Sequence, residues 1–167
     1  MAEQPEVQVG NPKSDVRSLK AAGKKPLTKG SFSYEYFPAK TEAGLAKLTA
    51  TANELAKHGP GFQSVTFGTG SEAGSPALLT ARTIEALEVS GVPTLSHLAL
   101  AHEKRRDLTA YVDALAWNGA PSFLALRGDG EISHSDECFT SVVELVGMIS
   151  QRHGASLSGG IGVACYP

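Results

Sequence analysis

From Ser31 onward the apolar residues of the chain switch repeatedly between two periods. Runs of strand character fall at about 31–37, at Phe62–Phe67, Pro93–Ala99, Ser122–Arg127 and Ile161–Tyr166. In such runs successive side chains face opposite ways. Between them the apolar positions recur at helical spacing. Leu45, Leu48, Ala52, Leu55 and Ala56 mark a helix over about 41–58, and Leu78, Leu79, Ile84 and Leu87 one over about 76–90. Leu108, Val112, Leu115 and Ala116 mark a third over about 103–118, and a fourth is expected over about 135–152. His58-Gly59-Pro60 stops the first helix, and Gly154 follows the last. The predicted order is βαβαβαβαβ with short connections, which implies an α/β fold with a parallel sheet and right-handed crossovers. An open doubly wound sheet and part of a (β/α)8 barrel both satisfy this pattern.

The first 29 residues read differently. They hold no aromatic residue, are rich in Lys, Pro, Gly and Gln, and show no sustained period. A segment of this kind buries too little apolar surface to offset its ordering entropy, so residues 1–29 are expected to be a disordered leader and 30–167 the folded domain. Across all 167 residues, 41% are apolar and 19% charged, with a net charge of -2. No basic face with interleaved aromatics points to nucleic acid, and no apolar run reaches the roughly 20 residues of a membrane span. The N-terminus has no apolar core of a secretory signal. Two cysteines, Cys138 and Cys165, are too few for a disulfide framework, so a reduced, cytoplasmic setting is expected, with both thiols acting as small hydrophobes.

In either architecture chemistry belongs at the carboxyl ends of the strands. These ends carry Glu35, Thr66, His97, Arg127-Gly128-Asp129 and Tyr166. Ser33, Glu35 and Phe37 share one face of the first strand, with Tyr34 and Tyr36 on the other. An acid among aromatics would have its charged form disfavoured and so could serve as a proton donor near neutral pH; a solvent-facing Glu on an edge strand is the plainer alternative. His97 could equally be a hydrogen-bonded core histidine, Thr66 a simple strand former, and Arg127 with Asp129 a structural salt bridge. Gly68-Thr69-Gly70-Ser71 lacks the Lys-Ser/Thr of a phosphate-binding P-loop. Gly159-Gly160-Ile161-Gly162 precedes a strand instead of following one, unlike a dinucleotide fingerprint. No His/Cys/carboxylate cluster has metal-ligand spacing, so no metal is expected.

Taken together the strand-end segments Ser33-Tyr34-Glu35-Tyr36-Phe37-Pro38-Ala39-Lys40-Thr41, Ser64-Val65-Thr66-Phe67-Gly68, His97-Leu98, Ala125-Leu126-Arg127-Gly128-Asp129 and Val163-Ala164-Cys165-Tyr166-Pro167 resemble, in order and rough spacing, the methylenetetrahydrofolate reductase family. The resemblance covers about residues 31–167. It implies a TIM barrel with non-covalent FAD that passes hydride from NADH or NADPH to 5,10-methylenetetrahydrofolate, in one-carbon metabolism and methionine supply. Carried over, Glu35 would be the general acid that helps open the folate imidazolidine ring to an iminium, and Asp129 would stabilise that cation beside the flavin. Thr66, His97, Arg127, Gly128, Asp129, Ala164 and Tyr166 would contact FAD. The implied partners are a folate substrate and no membrane, and a homo-oligomer is compatible with them. The chain departs from the family at Ala39, where a second proline is usual, at Ala99, where a polar residue is frequent, and at Gly130-Glu131-Ile132, where Leu-Pro is common. A complete barrel takes about 250 residues, against about 138 from Gly30 onward. The expectation is therefore an incomplete barrel of about five strands and four helices, truncated relative to the family and impaired or inactive alone. The alternatives are a non-catalytic half-barrel interaction module and an unrelated α/β enzyme using Asp129 and His97.

Overall fold

The structure, a computed structural model, describes residues 32–67, 76–100, 103–117, 122–129, 131–132, 134–154, 157 and 159–164. The expected leader at 1–29, Gly68, Cys165 and Tyr166 lie outside the described residues. Five strands alternate with four helices: β1 Ser33–Tyr36, α1 Glu42–Ala56, β2 Phe62–Val65, α2 Pro76–Leu87, β3 Thr94–Ala99, α3 Arg105–Trp117, β4 Ser122–Leu126, α4 Val142–His153 and β5 Gly160–Val163. A short 3-10 turn, Glu88–Ser90, ends the α2 segment, and Gly91 closes it at φ 68°, a left-handed conformation that glycine adopts without strain.

The strands pair in parallel, and their order across the sheet is β1-β2-β3-β4-β5. This order separates the two architectures left open by periodicity. A doubly wound sheet reverses its strand order at a switch point, with helices on both faces. Here the order follows the chain without reversal, and residues from all four helices join one core cluster on one side of the sheet. The described residues thus form an arc of a (β/α) barrel.

Register fixes which residues face the helices. Tyr36 pairs with Val65, Val65 with Ser96, Ser96 with Phe123, and Leu98 with Ala125. Tyr36, Val65, Leu98, Phe123 and Ala125 pack under Ala52, Leu87, Leu108, Val112, Leu145 and Ile149. Phe123 is fully buried, and burying a side chain of that size is worth about 1.5–3 kcal/mol. Buried polar groups in this layer are hydrogen-bonded. The two N–H groups of the Gln63 amide have four acceptors within reach, the Leu87 and Val92 carbonyls, each at 3.3 Å, and Ser90 Oγ and Thr94 Oγ1, each at 3.0 Å, which ties β2 to the 3-10 turn. The Ser96 and Tyr111 hydroxyls lie 2.8 Å apart, and burial pushes the Tyr111 phenol well above its ordinary value.

The fourth helix starts at Val142, later than the expected 135. Ser141 is the reason. Its Oγ accepts from Glu144 N at 3.2 Å, and Glu144 reaches back to accept from Thr140 N at 2.9 Å. This reciprocal arrangement is a capping box, shifted by one residue on the return bond, and it fixes where the helix begins. Residues 135–140 instead form a turn in which Cys138 bridges antiparallel to Lys104. The fifth strand ends at Val163, and Ala164 lies beyond it.

Candidate active site

The parallel strands bring their carboxyl ends to one edge of the sheet, and the sheet face away from the helices lies beside it. Alternation places Glu35, Ser64, Leu95, His97 and Leu124 on that open face, since their neighbours Tyr36, Val65, Ser96 and Phe123 face the helices or α3. Glu35 stands there with 55% of its side chain exposed. Tyr34 and Tyr36 lie with the core on the opposite side. Of the two readings of Glu35, the solvent-facing acid on the edge strand is the one adopted: as alternation predicts, the strand's pleat carries the Tyr34 and Tyr36 rings to the other face. What the carboxyl faces is His97, whose Nε2 lies 3.7 Å from Glu35 Oε2.

His97 is buried. Burial pushes its ring below the ordinary histidine value, and the nearby Glu35 charge pulls the other way. The neutral imidazole is thus favoured by desolvation and the imidazolium by its partner. The two readings of His97 both hold in part: it is a core-buried histidine, and its buried ring addresses the acid on β1.

Thr66 follows β2. Its amide donates to the Tyr36 carbonyl at 3.0 Å, continuing the sheet ladder, and its hydroxyl lies 3.5 Å from the same oxygen. Thr80 Oγ1 donates to the Thr66 carbonyl at 3.3 Å, which anchors this strand end to α2. Arg127 and Asp129 are both exposed after β4, and neither forms an ion pair among the described residues, so the salt-bridge reading of that tripeptide is not what the chain adopts. Between them Gly128 sits at φ 84°, where a Cβ would be strained. Arg127 also lines a shallow depression of about 360 Å³ with Glu131, Ile132 and His134. Glu131 and Ile132 entered the sequence reading only as a departure from the family, and His134 not at all; their place in the segment after β4 is the signal that marks them. Ala164 is half-buried beyond β5. Among the described residues no group of three or more His, Cys, Asp or Glu could hold a metal ion, and no helix is long and apolar enough to cross a membrane.

The loop that carries Asp129 is tied down at its far end. Arg105, at the start of α3, pairs with Glu144, donates to the Cys138 carbonyl at 3.2 Å and stacks 4.2 Å above the Phe139 ring. Lys104 adds an ion pair to Glu137 at 2.8 Å. Arg105 carries no motif; only its tertiary neighbours reveal that it fixes this loop. Cys138, half-buried here, is a free thiol.

A barrel arc with acid, imidazole, guanidinium and a glycine turn at its carboxyl rim defines a strand-end site of the TIM-barrel type. The chain belongs to the methylenetetrahydrofolate reductase family, whose model matches residues 21–167, beginning inside the segment expected to be a leader. It is 33% identical over 145 residues to "Methylenetetrahydrofolate reductase (NADH) 1" of Zea mays, covering 82% of this chain and 23% of that protein. It is 30% identical to "Methylenetetrahydrofolate reductase 2" of Schizosaccharomyces pombe, covering 81% and 22%. The figures for "Probable methylenetetrahydrofolate reductase (NADPH)" of Caenorhabditis elegans are 27%, with 81% and 21% covered. The chain thus spans under a quarter of the length of these relatives.

Proposed function

We propose that this chain takes part in reducing 5,10-methylenetetrahydrofolate to the 5-methyl form, with FAD as the carrier and NADH or NADPH as the reductant, in the cytoplasm. The observation that carries the reading is the set of strand-end groups on one open rim, in a chain of this family: Glu35 opposite His97, and an exposed Arg127-Gly128-Asp129 turn. Relatives bear both NADH and NADPH in their names, so either reductant fits.

The residues on the rim suit a flavin. Gly128 removes the side chain where a planar ring would meet the backbone, and Arg127 offers a guanidinium with no ion-pair partner among the described residues. Thr66, His97, Arg127, Gly128, Asp129 and Ala164, with Tyr166 beyond the described residues, would hold it. Bound there, FAD would supply the hydride transfer, chemistry that no side chain of this protein provides. Glu35 would donate a proton to the leaving nitrogen of the folate ring from Oε2. An acid on an open face, with a proton partner behind it, can release a proton to a substrate laid over the sheet. Asp129, exposed at the turn, would place negative charge beside the cation that ring opening produces, an electrostatic stabilisation aimed at developing charge.

The test is to titrate FAD onto the purified chain, follow quenching of flavin fluorescence, and assay NADH- and NADPH-dependent menadione reduction. For this chain alone the reading expects weak but saturable binding with negligible turnover, and binding at least about tenfold weaker again in Arg127→Ala, the loss of one charge-assisted contact. A folded chain that retains no flavin at millimolar concentration would overturn it in favour of a non-catalytic module.

A further inference from the structure

Glu35 and His97 are on strands that are not neighbours. β2 lies between them, and His97 also lies two residues further along than the position level with Glu35, so two inter-strand spacings and that offset put their backbones more than about 10 Å apart. The two side chains nevertheless come within 3.7 Å. On β2 the residues of that face between them are Ser64, the register partner of Glu35, and Thr66, two residues on, and both side chains are short.

Among the described residues Glu35 is the charge that acts on the His97 ring. Its neighbours across the sheet are Ser64 and Thr66 on β2 and its register partner Leu124 on β4, itself paired with Gly162 on β5, and none of these is ionisable. The imidazole is buried while the carboxyl is more than half exposed. One end of the pair is thus shielded from water and the other presented to the open face.

We propose that His97 is the positioning residue of Glu35: across β2 its Nε2, 3.7 Å from Oε2, holds the carboxyl over the open face as an ion-pair partner. Closing that gap to hydrogen-bond distance lets one proton pass between them. With the proton on Nε2 the pair is imidazolium and carboxylate; with the proton on Oε2 it is neutral imidazole and carboxylic acid. Transfer between the two forms breaks one N–H bond, makes one O–H bond and leaves the net charge unchanged. Only the second form presents Glu35 as an acid. The pairing deepens the proposed role of Glu35 as a proton donor and rests on that role for its chemical use, while the pairing itself needs neither flavin nor folate to be measured.

Nitrogen-15 NMR of the full 167-residue chain resolves the titration of its five histidines, and loss of one set of signals in His97→Gln assigns His97. Removing the carboxylate in Glu35→Gln should lower the His97 midpoint by about half a pH unit or more, since an opposite charge at this range favours the protonated ring. Glu35→Asp, one methylene shorter, should lower it by less. A His97 midpoint unchanged in both variants, with circular dichroism showing both folded, would overturn the pairing. Flavin binding measured on the same samples separates this failure from failure of the proposed function.

Discussion

The two faces of the sheet are built from the same five strands and obey opposite rules. On the helix face Val65, Leu98, Phe123 and Ala125 are fully buried under four helices, and the polar groups there are closed into hydrogen bonds such as those of Gln63. On the other face Leu95 and Leu124 are only half-covered and Glu35 is open to water, although Ser64 and His97 there are buried. One face holds the fold together by excluding water; the other leaves ionisable groups where a ligand can meet them. A single pleat reversal converts a core residue into a site residue, as Tyr36 and Glu35 demonstrate at adjacent positions.

The sharpest way to break this contrast is to truncate neighbours of opposite orientation on β4. Phe123→Ala should cost about 3–5 kcal/mol, the loss of a fully buried aromatic plus its cavity, measured by urea denaturation. Leu124→Ala, one residue on but facing the open side, should cost about 1 kcal/mol, in keeping with its partial burial. Equal costs would mean the two faces are not different. Next in size is Gly128→Ala, which places a Cβ at φ 84° and should destabilise by about 1–2 kcal/mol, a strain confined to the rim. Ser141→Ala removes the helix cap that accepts from Glu144 N and should cost about 1 kcal/mol, read from the thermal midpoint. This tests the helix layer without touching the open face.

The smallest expected effect is a slope in pH. Burial lowers the folded His97 ring below its ordinary value, so the unfolded chain binds its proton first on acidification. The contribution of His97 to stability is complete above the unfolded value of about 6.5 and is lost as pH falls from there through the folded value. His97→Gln should flatten the stability profile across that window. On the helix layer the sign is shared but the window lies lower. Asp113, held below the usual carboxylate range chiefly by its hydrogen bonds to Arg152, contributes above its unfolded value near 4 and loses that contribution as pH falls through its folded one.

Much of this was legible in the chain, for identifiable reasons. Helix and strand order follows from apolar periodicity, a local property that Leu45 to Ala56 or Leu108 to Ala116 display without help from the rest of the molecule. Periodicity alone did not choose between barrel and doubly wound sheet, because strand order depends on where each crossover lands; the strand-end segments, through their family resemblance, chose the barrel, and the strand order bears that out. The late start of the fourth helix was written in Ser141 and Glu144, but the earlier residues 135–140 hold no proline or glycine to break a helix and masked the cap. At the site, Glu35, His97 and Arg127-Gly128-Asp129 declared themselves by falling at strand ends. Their pairing did not: that Glu35 reaches His97 depends on the registers of β1 with β2 and of β2 with β3. The anchoring of the Asp129 loop by Arg105 is likewise a tertiary fact.

The central claim is that the open face and its rim, and not the helix-covered face, meet the flavin. Amide and methyl NMR of the labelled chain during addition of FAD tests it most directly. The account predicts saturable shifts at Glu35, Thr66, His97, Arg127 and Gly128, with Val65, Leu98 and Phe123 unmoved. Shifts confined to the helix layer, or none at saturating flavin, would contradict it.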